Sequence, residues 1–229
     1  MSSSTSPTKT PQTVGILIFD DVEILDFCGP YEVFGVTGED QPEQPRPFQV
    51  FTIAVTSDPV LTRNQMSVTP RYSFETCPAL DILLVPGGQG SRQVMHCDRT
   101  LAWINQQVPN LTHLLSVCTG ALVVAKAGLL DGLQATTHHT ALDLLRSIAP
   151  QTEILPQRRI VDNGKIVFSG GIAAGIDMSL YMVAQLQGRA VAIATANEME
   201  YDAPFLFSAD PLTPASLPDV SWPKTDVHP

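Results

Sequence analysis

The sequence predicts an α/β fold built around a mostly parallel sheet. Short apolar runs alternate with longer segments of helical periodicity along the 229 residues. The runs at 14–19, 48–55, 81–85 and 111–117 are apolar at almost every position, as in strands that are buried on both faces. In such sheets the ligand site forms beyond the carboxyl ends of the strands. Residues that directly follow a predicted strand are therefore the first candidates for function.

The first half of the chain is predicted to hold two strands, one helix and a region of short strands. Gly29-Pro30 lies inside an apolar stretch, so we expect a turn there and a helix that starts near Pro30, because proline suits the first helical turn. A polar, proline-rich loop at 38–47 separates this helix from the strand at 48–55. Short strands or a hairpin are predicted within 57–73.

The second half is predicted to contain most of the helices. The helix after Cys118-Thr119-Gly120 is expected to span 121–130 and to end at Asp131-Gly132. Asn163-Gly164 between two β-rich runs predicts a hairpin. The other predicted elements are a helix at 98–108, a short strand at 135–137, and helices at 139–148, 173–187 and 189–201.

Composition at the two ends predicts one domain with a tail on each side. Residues 1–12 are rich in Ser, Thr and Pro, which is typical of a disordered N-terminal tail. Residues 13–202 are predicted to form the domain. Residues 203–229 contain six prolines and are predicted to be an irregular C-terminal tail that wraps the surface.

The composition favours a globular protein and argues against several kinds of partner. Apolar residues make up 44% of the chain and charged residues 16%, and the net charge is −10. An acidic protein is a poor partner for nucleic acid or for an anionic membrane surface, so we expect neither. No apolar run reaches the roughly 18 residues that span a bilayer, and the N-terminus lacks a signal-peptide core. The sequence therefore predicts a cytoplasmic protein.

The cysteines and histidines do not have the spacing of a metal site. Cys28, Cys77, Cys97 and Cys118 form no CxxC pair, and the five histidines form no HExxH pattern. A chain with a sizeable core and no secretion signal has no need of disulfides. We therefore expect no metal and no cofactor, and we expect one cysteine to be a reactive thiol.

Cys118 is the strongest candidate for that thiol. It lies between an apolar strand and an apolar helix, the arrangement of a nucleophile elbow. Amides at the start of the helix favour a thiolate, Thr119 can offer a hydroxyl, and Gly120 allows the turn and its neighbours to approach closely. The alternative is a buried, inert cysteine.

Three further features have both a catalytic and a structural interpretation. Backbone amides of Gly87 and Gly88 can bind an oxyanion, or the pair can be an ordinary tight turn. Asp26 lies in an apolar setting that would raise its pKa and make it a general acid and base, or it can cap the following helix. His138, followed by His139, can pair with a nucleophilic cysteine or be a structural histidine at a strand end.

Four segments taken together resemble the DJ-1/PfpI superfamily, and within it the isocyanide hydratase branch. They are, in order, ILIFDDVEILDFCGPYEVF, DILLVPGGQG, SVCTGALVVAKAGLLDGLQATTHH and FSGGIAAGID. The resemblance spans roughly residues 13–205, and a similar pattern occurs in the sensor domains of GlxA-type AraC regulators. The hydratases and regulators read Thr-Thr-His-Trp where this chain has His139 in place of Trp.

The resemblance implies a flavodoxin-like three-layer sandwich, similar to class I glutamine amidotransferases, and a homodimer. It implies that Cys118 is the nucleophile, that Asp26 is its acidic partner and that Thr119 belongs to the catalytic group. It also implies that Gly87, Gly88, Gly120 and His138 form the oxyanion and substrate-binding wall. Proteases and glyoxalases of the superfamily often carry histidine directly after the cysteine, and Thr119 departs from that pattern.

The function expected from the resemblance is the hydration of an isocyanide to an N-formamide through a covalent thioimidate on Cys118. A stand-alone ligand sensor is an alternative, because the chain after the domain is too short for the helix-turn-helix region of the regulators. A redox protein in which Cys118 is oxidised to a sulfinate is another. Glyoxalase-like chemistry on the same scaffold is a third.

Overall fold

The protein is described by a computed structural model that covers residues 10–207, 212–217 and 219. Within these residues the strands are β1 (Gln12–Leu17), β2 (Phe48–Ala54), β3 (Val60–Leu61), β4 (Ser67–Val68), β5 (Tyr72–Ser73), β6 (Ile82–Val85), β7 (His113–Val117), β8 (Gln134–Ala135), β9 (Glu153–Ile154), β10 (Ile160–Asp162) and β11 (Ile166–Ser169). The helices are α1 (Ile24–Val36), α2 (Ser91–Val94), α3 (Asp98–Gln107), α4 (Gly120–Lys126), α5 (Leu142–Ile148), α6 (Ala174–Gln187) and α7 (Arg189–Glu198).

A seven-stranded sheet forms the middle of the molecule, in the order β10-β11-β7-β6-β1-β2-β5. Every neighbouring pair is parallel except β10 and β11, which form an antiparallel edge. From β1 the chain moves outward to β2 and β5, then returns to β6 on the other side of β1 and continues to β7 and β11. The sheet therefore has its topological switch point between β1 and β6, where ligand sites form in open α/β sheets.

Helices cover both faces of the sheet, which confirms the predicted three-layer α/β sandwich. Helix α1 packs on α6 and α7, whereas α4 packs on α2, α3 and α5. The two groups lie on opposite faces because right-handed crossovers that run in opposite directions from the switch point leave the sheet on opposite sides. The central strands are buried on both faces, and Ile16, Leu84 and Leu115 have no exposed surface.

The prediction that the first helix starts near Pro30 is wrong. Helix α1 begins at Ile24 and continues through Gly29-Pro30. Pro30 removes the hydrogen bond that the carbonyl of Asp26 would otherwise accept, but Phe27 and Phe34 are buried on the same helix and hold it together. The N-cap position is Glu23, whose side chain makes no capping hydrogen bond, so the interpretation of Asp26 as a capping residue is also wrong.

Helix α4 ends earlier than predicted, at Lys126. Gly128 has a φ of +76°, and its N–H donates to the carbonyl of Ala125 at 2.9 Å. The N–H of Leu129 donates to the carbonyl of Val124 at 3.3 Å, which completes a Schellman motif. The glycine that ends the helix is therefore Gly128 and not Gly132.

The other element predictions hold with small shifts of boundary. The hairpin at Asn163-Gly164 is confirmed by β10 and β11, and β3 and β4 form the hairpin expected within 57–73. The helix predicted at 139–148 begins as a 3₁₀ turn over His139–Ala141 before α5. The short helix α2 was not predicted, because a four-residue helix has no clear periodicity.

The chain continues to contribute to the core after residue 202. Pro204–Phe207 form a 3₁₀ turn in which Phe205 and Leu206 are buried, and Leu217 is buried as well. The C-terminal segment is therefore packed where it is described, and the predicted tail at 1–12 lies outside the described residues except for 10–12. No helix in the described part of the chain combines the length and the apolarity needed to cross a membrane.

Replacing Leu206 by Ala should reduce the free energy of unfolding by about 2–5 kcal/mol, because the side chain is completely buried. Phe207→Ala is the matched control, since Phe207 is adjacent and 60% exposed, and it should change stability little. Urea unfolding of both variants measures the difference. Equal stability of the two variants would contradict the packing of this segment on the domain.

Candidate active site

Cys118 occupies a sharp turn between β7 and α4, as the sequence predicts. Its φ is +58°, and it is only 5% exposed. Its N–H lies 3.1 Å from the carbonyl of Gly170, and its own carbonyl accepts the hydroxyl of Thr137 at 2.7 Å. A side chain at Gly120 would collide with the carbonyl of Val85, so the turn needs glycine there. These contacts hold Cys118 in a conformation that costs a non-glycine residue about 1–3 kcal/mol.

Asp26 lies in the first turn of α1 and is completely buried. The N–H of Gly87 donates to its Oδ2 at 3.0 Å, whereas Oδ1 accepts no hydrogen bond of ordinary geometry. The thiol of Cys118 and the N–H of Ile172 are the other polar groups that face the carboxyl. Burial raises the pKa of Asp26 to about 7, although the contacts with Gly87 and Cys118 act in the opposite direction.

Burial also raises the pKa of the Cys118 thiol, to about 12, and the negative charge of Asp26 adds to the shift. We expected the helix amides to favour a thiolate, and this is wrong for the pair at rest. The amide of Thr119 does act in the predicted sense, but burial and the neighbouring carboxylate have the larger effect. Between about pH 7 and 12 the pair therefore holds a single proton, with a thiol beside a carboxylate.

Ile172 is a site residue that the sequence analysis missed. Its φ is +53°, which is unusual for a β-branched residue. Its backbone N–H faces both the Asp26 carboxyl and the Cys118 sulfur. The FSGGIAAGID segment that contains Ile172 was noticed only as part of a resemblance, and a backbone amide has no side-chain pattern that would have identified it.

The backbone before Ile172 is hydrogen-bonded to Arg159, and the side chain of Arg159 forms an ion pair with helix α6. The N–H of Gly170 donates to the carbonyl of Arg159 at 2.9 Å. The guanidinium of Arg159 binds the carboxylate of Asp177, which also accepts the hydroxyl of Tyr201 at 2.9 Å. This cluster therefore connects α6 to the backbone that contacts Cys118.

The Gly87-Gly88 turn lies against both Asp26 and Thr119. A Cβ at Gly87 would be 2.5 Å from the nitrogen of Thr119 and 2.9 Å from Oδ2 of Asp26, so no larger residue fits. The N–H groups of Gly87 and Gly88 donate to Asp26 and Thr119, respectively. Both amides are thus engaged within the protein, and their predicted oxyanion role stays a prediction.

Thr119 and Ser91 connect the two loops that follow β6 and β7. The hydroxyl of Thr119 accepts the N–H of Gly88 at 3.0 Å and the hydroxyl of Ser91 at 2.9 Å, and it donates to the carbonyl of Gly88 at 3.1 Å. Both side chains are buried. The hydroxyl predicted at Thr119 is therefore present, and it orients the Gly87-Gly88 turn. Ser91 was not predicted, because its loop position becomes meaningful only next to Thr119.

His138 lines the pocket above Cys118. Its Nδ1 accepts the N–H of Thr140 at 3.3 Å, and it lies 2.9 Å from the Thr140 hydroxyl. Burial lowers the pKa of His138, and the neighbouring His139 adds to this effect. The ring of His139 lies against that of His138, with 4.3 Å between the ring centroids and a tilt of 35° between the ring planes. The hydrogen bonds described for His138 go to Thr140 and not to Cys118, so the structure brings His138 to the pocket without pairing it with the thiol.

A cavity of about 200 Å³ opens above the sulfur of Cys118. Asp26 lies behind this cavity and does not line it. Polar side chains dominate the walls, which comprise Glu23, Arg63, Gly88, Gln89, Arg92, Cys118, Thr119, His138, Thr140 and Ile172. In the described part of the chain no group of three His, Cys, Asp or Glu side chains could hold a metal ion, and all four cysteines are free.

Replacing Asp26 by Asn should lower the pKa of Cys118, because it removes the carboxylate that raises it. Alkylation of Cys118 by iodoacetamide at about pH 8 should then be faster, about tenfold for each unit by which the pKa falls. Peptide mass spectrometry separates Cys118 from the other three thiols. Asp143→Asn, on the surface of α5, is the control and should leave the rate unchanged. An equal or slower rate in Asp26→Asn would contradict the coupling of the pair.

Comparisons with known proteins identify the family and the fold. The sequence model of the DJ-1/PfpI family matches residues 12–185. The isonitrile hydratase of Pseudomonas putida is 36% identical over 205 residues, which cover 89% of this chain and 85% of that protein. The HTH-type transcriptional regulator GbdR of Pseudomonas aeruginosa is 24% identical over 194 residues, which cover 85% of this chain and 52% of the regulator.

Solved structures show the same architecture. A THiJ/PfpI family protein from Pseudomonas syringae superposes with a TM-score of 0.76 at 28% identity, covering 87% of this chain and 79% of that chain. Drosophila melanogaster DJ-1beta superposes with a TM-score of 0.74 at 16% identity, covering 84% of this chain and 100% of that chain, which shows a common fold. These neighbours confirm the flavodoxin-like sandwich. With the match of the family model over most of the chain, they show that this protein is a member of the DJ-1/PfpI family.

Proposed function

We propose that the protein is a hydratase that uses Cys118 to convert an isocyanide into an N-formamide. The observation that supports this most strongly is the buried pair of Cys118 and Asp26, which shares one proton directly below a pocket. The 36% identity with an isonitrile hydratase supports the choice of substrate class. The chemistry needs one nucleophile and one group that moves protons, and the pair supplies both.

The first half of the proposed reaction forms a carbon–sulfur bond. The sulfur of Cys118 attacks the terminal carbon of R–N≡C while Asp26, as the carboxylate, takes the thiol proton. Asp26 then delivers this proton to the same carbon. The product is a thioimidate, Cys118–S–CH=N–R, in which the former thiol hydrogen is bound to carbon. Asp26 ends this half as a carboxylate again, and no oxidant or reductant is needed.

The second half adds water to the thioimidate carbon. Asp26 takes a proton from the attacking water and passes it to the nitrogen, which leaves a hydroxyl, an N–H and the sulfur on one tetrahedral carbon. The hydroxyl then becomes the carbonyl of the formamide as the carbon–sulfur bond breaks. Its proton returns through Asp26 to the sulfur. The sum is R–N≡C plus water giving R–NH–CHO, with the thiol and the carboxylate restored.

Backbone groups support the changes of charge in this scheme. The N–H groups of Thr119 and Ile172 face the sulfur and stabilise the negative charge that develops on it as the proton leaves. The N–H of Gly87 orients the Asp26 carboxyl. We assign Thr119 a positioning role, because its hydroxyl is bound to Gly88 and Ser91.

A ligand-sensing protein is the second candidate. The match to the transcriptional regulator GbdR, at 24% identity, covers 85% of this chain and 52% of the regulator, which supports a related ligand-binding role. A sensor would bind its ligand in the Cys118 pocket and release it unchanged. Turnover therefore discriminates between the two proposals. The homodimer, which the resemblance implies, is proposed for either function.

An aryl isocyanide mixed with the purified protein should be converted to the formamide, which absorbance and mass spectrometry detect. Cys118→Ala should abolish turnover because the nucleophile is lost. Asp26→Asn should reduce kcat by about 10²–10⁴-fold, the usual contribution of a general acid and base. Cys97→Ala, which removes a half-buried thiol outside the pocket wall, is the matched control and should retain activity. Equal formamide production by Cys118→Ala and by the unmodified protein would contradict the proposal.

The pH profile should show the ionisation of Asp26. The first step needs the carboxylate, so kcat/KM should fall about tenfold for each pH unit below the Asp26 pKa of about 7 and be level above it. In Asp26→Asn the break at about pH 7 should disappear, because the rate should then follow the ionisation of the Cys118 thiol. The measurement is the initial rate at low isocyanide concentration across the range in which the protein stays folded. A profile that is flat through about pH 7 in the unmodified protein would contradict the role of Asp26 as the base.

A further inference from the structure

The walls of the Cys118 pocket carry an arginine that no acidic side chain neutralises. Arg63 and Arg92 both line the pocket together with Glu23. Arg63 is paired with Glu23 at 2.9 Å between Nη1 and Oε2. The guanidinium of Arg92, on α2, has no ion pair or hydrogen bond with any residue that the structure describes, and the hydrogen bond of this residue to Gln89 is made by its backbone N–H. The mouth of the pocket therefore carries one uncompensated positive charge.

This charge is unusual for the molecule around it. The protein has a net charge of −10, with 23 acidic residues available as partners. The arginines that form ion pairs with acidic side chains in the described chain are Arg46, Arg63, Arg99, Arg146, Arg158 and Arg159. Arg92 is half-buried beside the active-site cysteine and remains without such a partner. A guanidinium in this position is well suited to bind a planar anion with two parallel hydrogen bonds.

The remaining walls offer little to an apolar substituent. Ile172 is the one aliphatic side chain among the lining residues, and Gln89, His138 and Thr140 supply polar groups. An isocyanide whose carbon reaches Cys118 must direct its substituent toward this polar mouth. A hydrocarbon substituent would bury little apolar surface there, whereas an anion would meet Arg92.

We propose that the substrate is a small isocyanide that carries a carboxylate, and that Arg92 binds this carboxylate while Cys118 attacks the isocyanide carbon. The inference rests on the proposed hydratase function and adds the substrate class to it. Arg63 lines the same pocket, but its charge is balanced by the carboxylate of Glu23. The cavity of about 200 Å³ suits a compact substituent.

The test compares isocyanoacetate with its ethyl ester, which has the same reacting group and no charge. The unmodified protein should prefer the carboxylate in kcat/KM. In Arg92→Gln this ratio should fall about tenfold, mainly through KM, because one charge-assisted interaction is lost. Arg99→Gln is the control, since Arg99 is paired with Glu75 outside the pocket walls, and it should leave both substrates unaffected. Added salt should weaken the preference in the unmodified protein.

The two proposals fail in different ways. If Cys118 hydrates the ester and the carboxylate equally, or if Arg92→Gln leaves their ratio unchanged, the anion proposal is overturned and the hydratase function stands. If the aryl isocyanide is hydrated and neither of these two compounds is, the anion proposal is again overturned and the hydratase function stands. If none of the three is hydrated, the hydratase function fails, and calorimetry with N-formylglycine and its ethyl ester tests the site as a binding site. Binding of N-formylglycine that Arg92→Gln abolishes would support the anion site alone. Absence of such binding would overturn it.

Discussion

The burial of Asp26 against the thiol of Cys118 is the constraint on which the rest of the site depends. Each group can lose a proton, but two negative charges are unfavourable in one buried site, so the pair keeps its second proton from about pH 7 to about 12. Since the pKa of Asp26 rises from 3.8 to about 7, its ionised form costs about 4 kcal/mol of stability. This cost is absent below pH 3.8, grows as the pH rises, and is complete above about 7. The buried carboxylate of Asp26 is therefore a stronger base than an exposed one.

The fold supplies the pair from separate strand ends at the switch point of the sheet. Asp26 follows β1, the glycine turn follows β6, Cys118 follows β7, and Ile172 follows β11. Parallel strands bring these four segments to the same edge, so short loops are sufficient to assemble the site. Cys118 and Ile172 are non-glycine residues with positive φ, and these conformations place the N–H of Ile172 against the sulfur of Cys118. Such strained conformations persist only where the surrounding packing determines them, and here Gly170 and Arg159 fix the backbone.

The Cys118 turn lies in one local segment and could be predicted from the sequence. Asp26 and the Gly87-Gly88 turn were assigned to the same site through the resemblance, and the contacts that join these segments could not be predicted. Cys118 was identified because strand, cysteine, threonine, glycine and helix are consecutive. The predicted direction of the Cys118 pKa shift was wrong. An amide at the start of a helix can be inferred from the sequence, whereas the degree of burial of the thiol cannot. The helix through Pro30 was missed for a similar reason, since tertiary packing compensates for a lost hydrogen bond. Ile172 was missed because it acts through a backbone amide, which has no side-chain pattern. Arg92 was missed because its place in the pocket depends on the four-residue helix α2, which the sequence does not predict.

The position of Asp26 outside the pocket wall also constrains the order of steps in the proposed reaction. Asp26 is completely buried behind Cys118, so a molecule in the pocket meets the sulfur first. In the proposed reaction, the first proton that Asp26 delivers therefore goes to the carbon that is bonding to sulfur. This arrangement favours chemistry in which attack and protonation occur at the same carbon, as in an isocyanide. The charged groups at the mouth act on the substituent of the ligand, so recognition and reaction can change independently of one another.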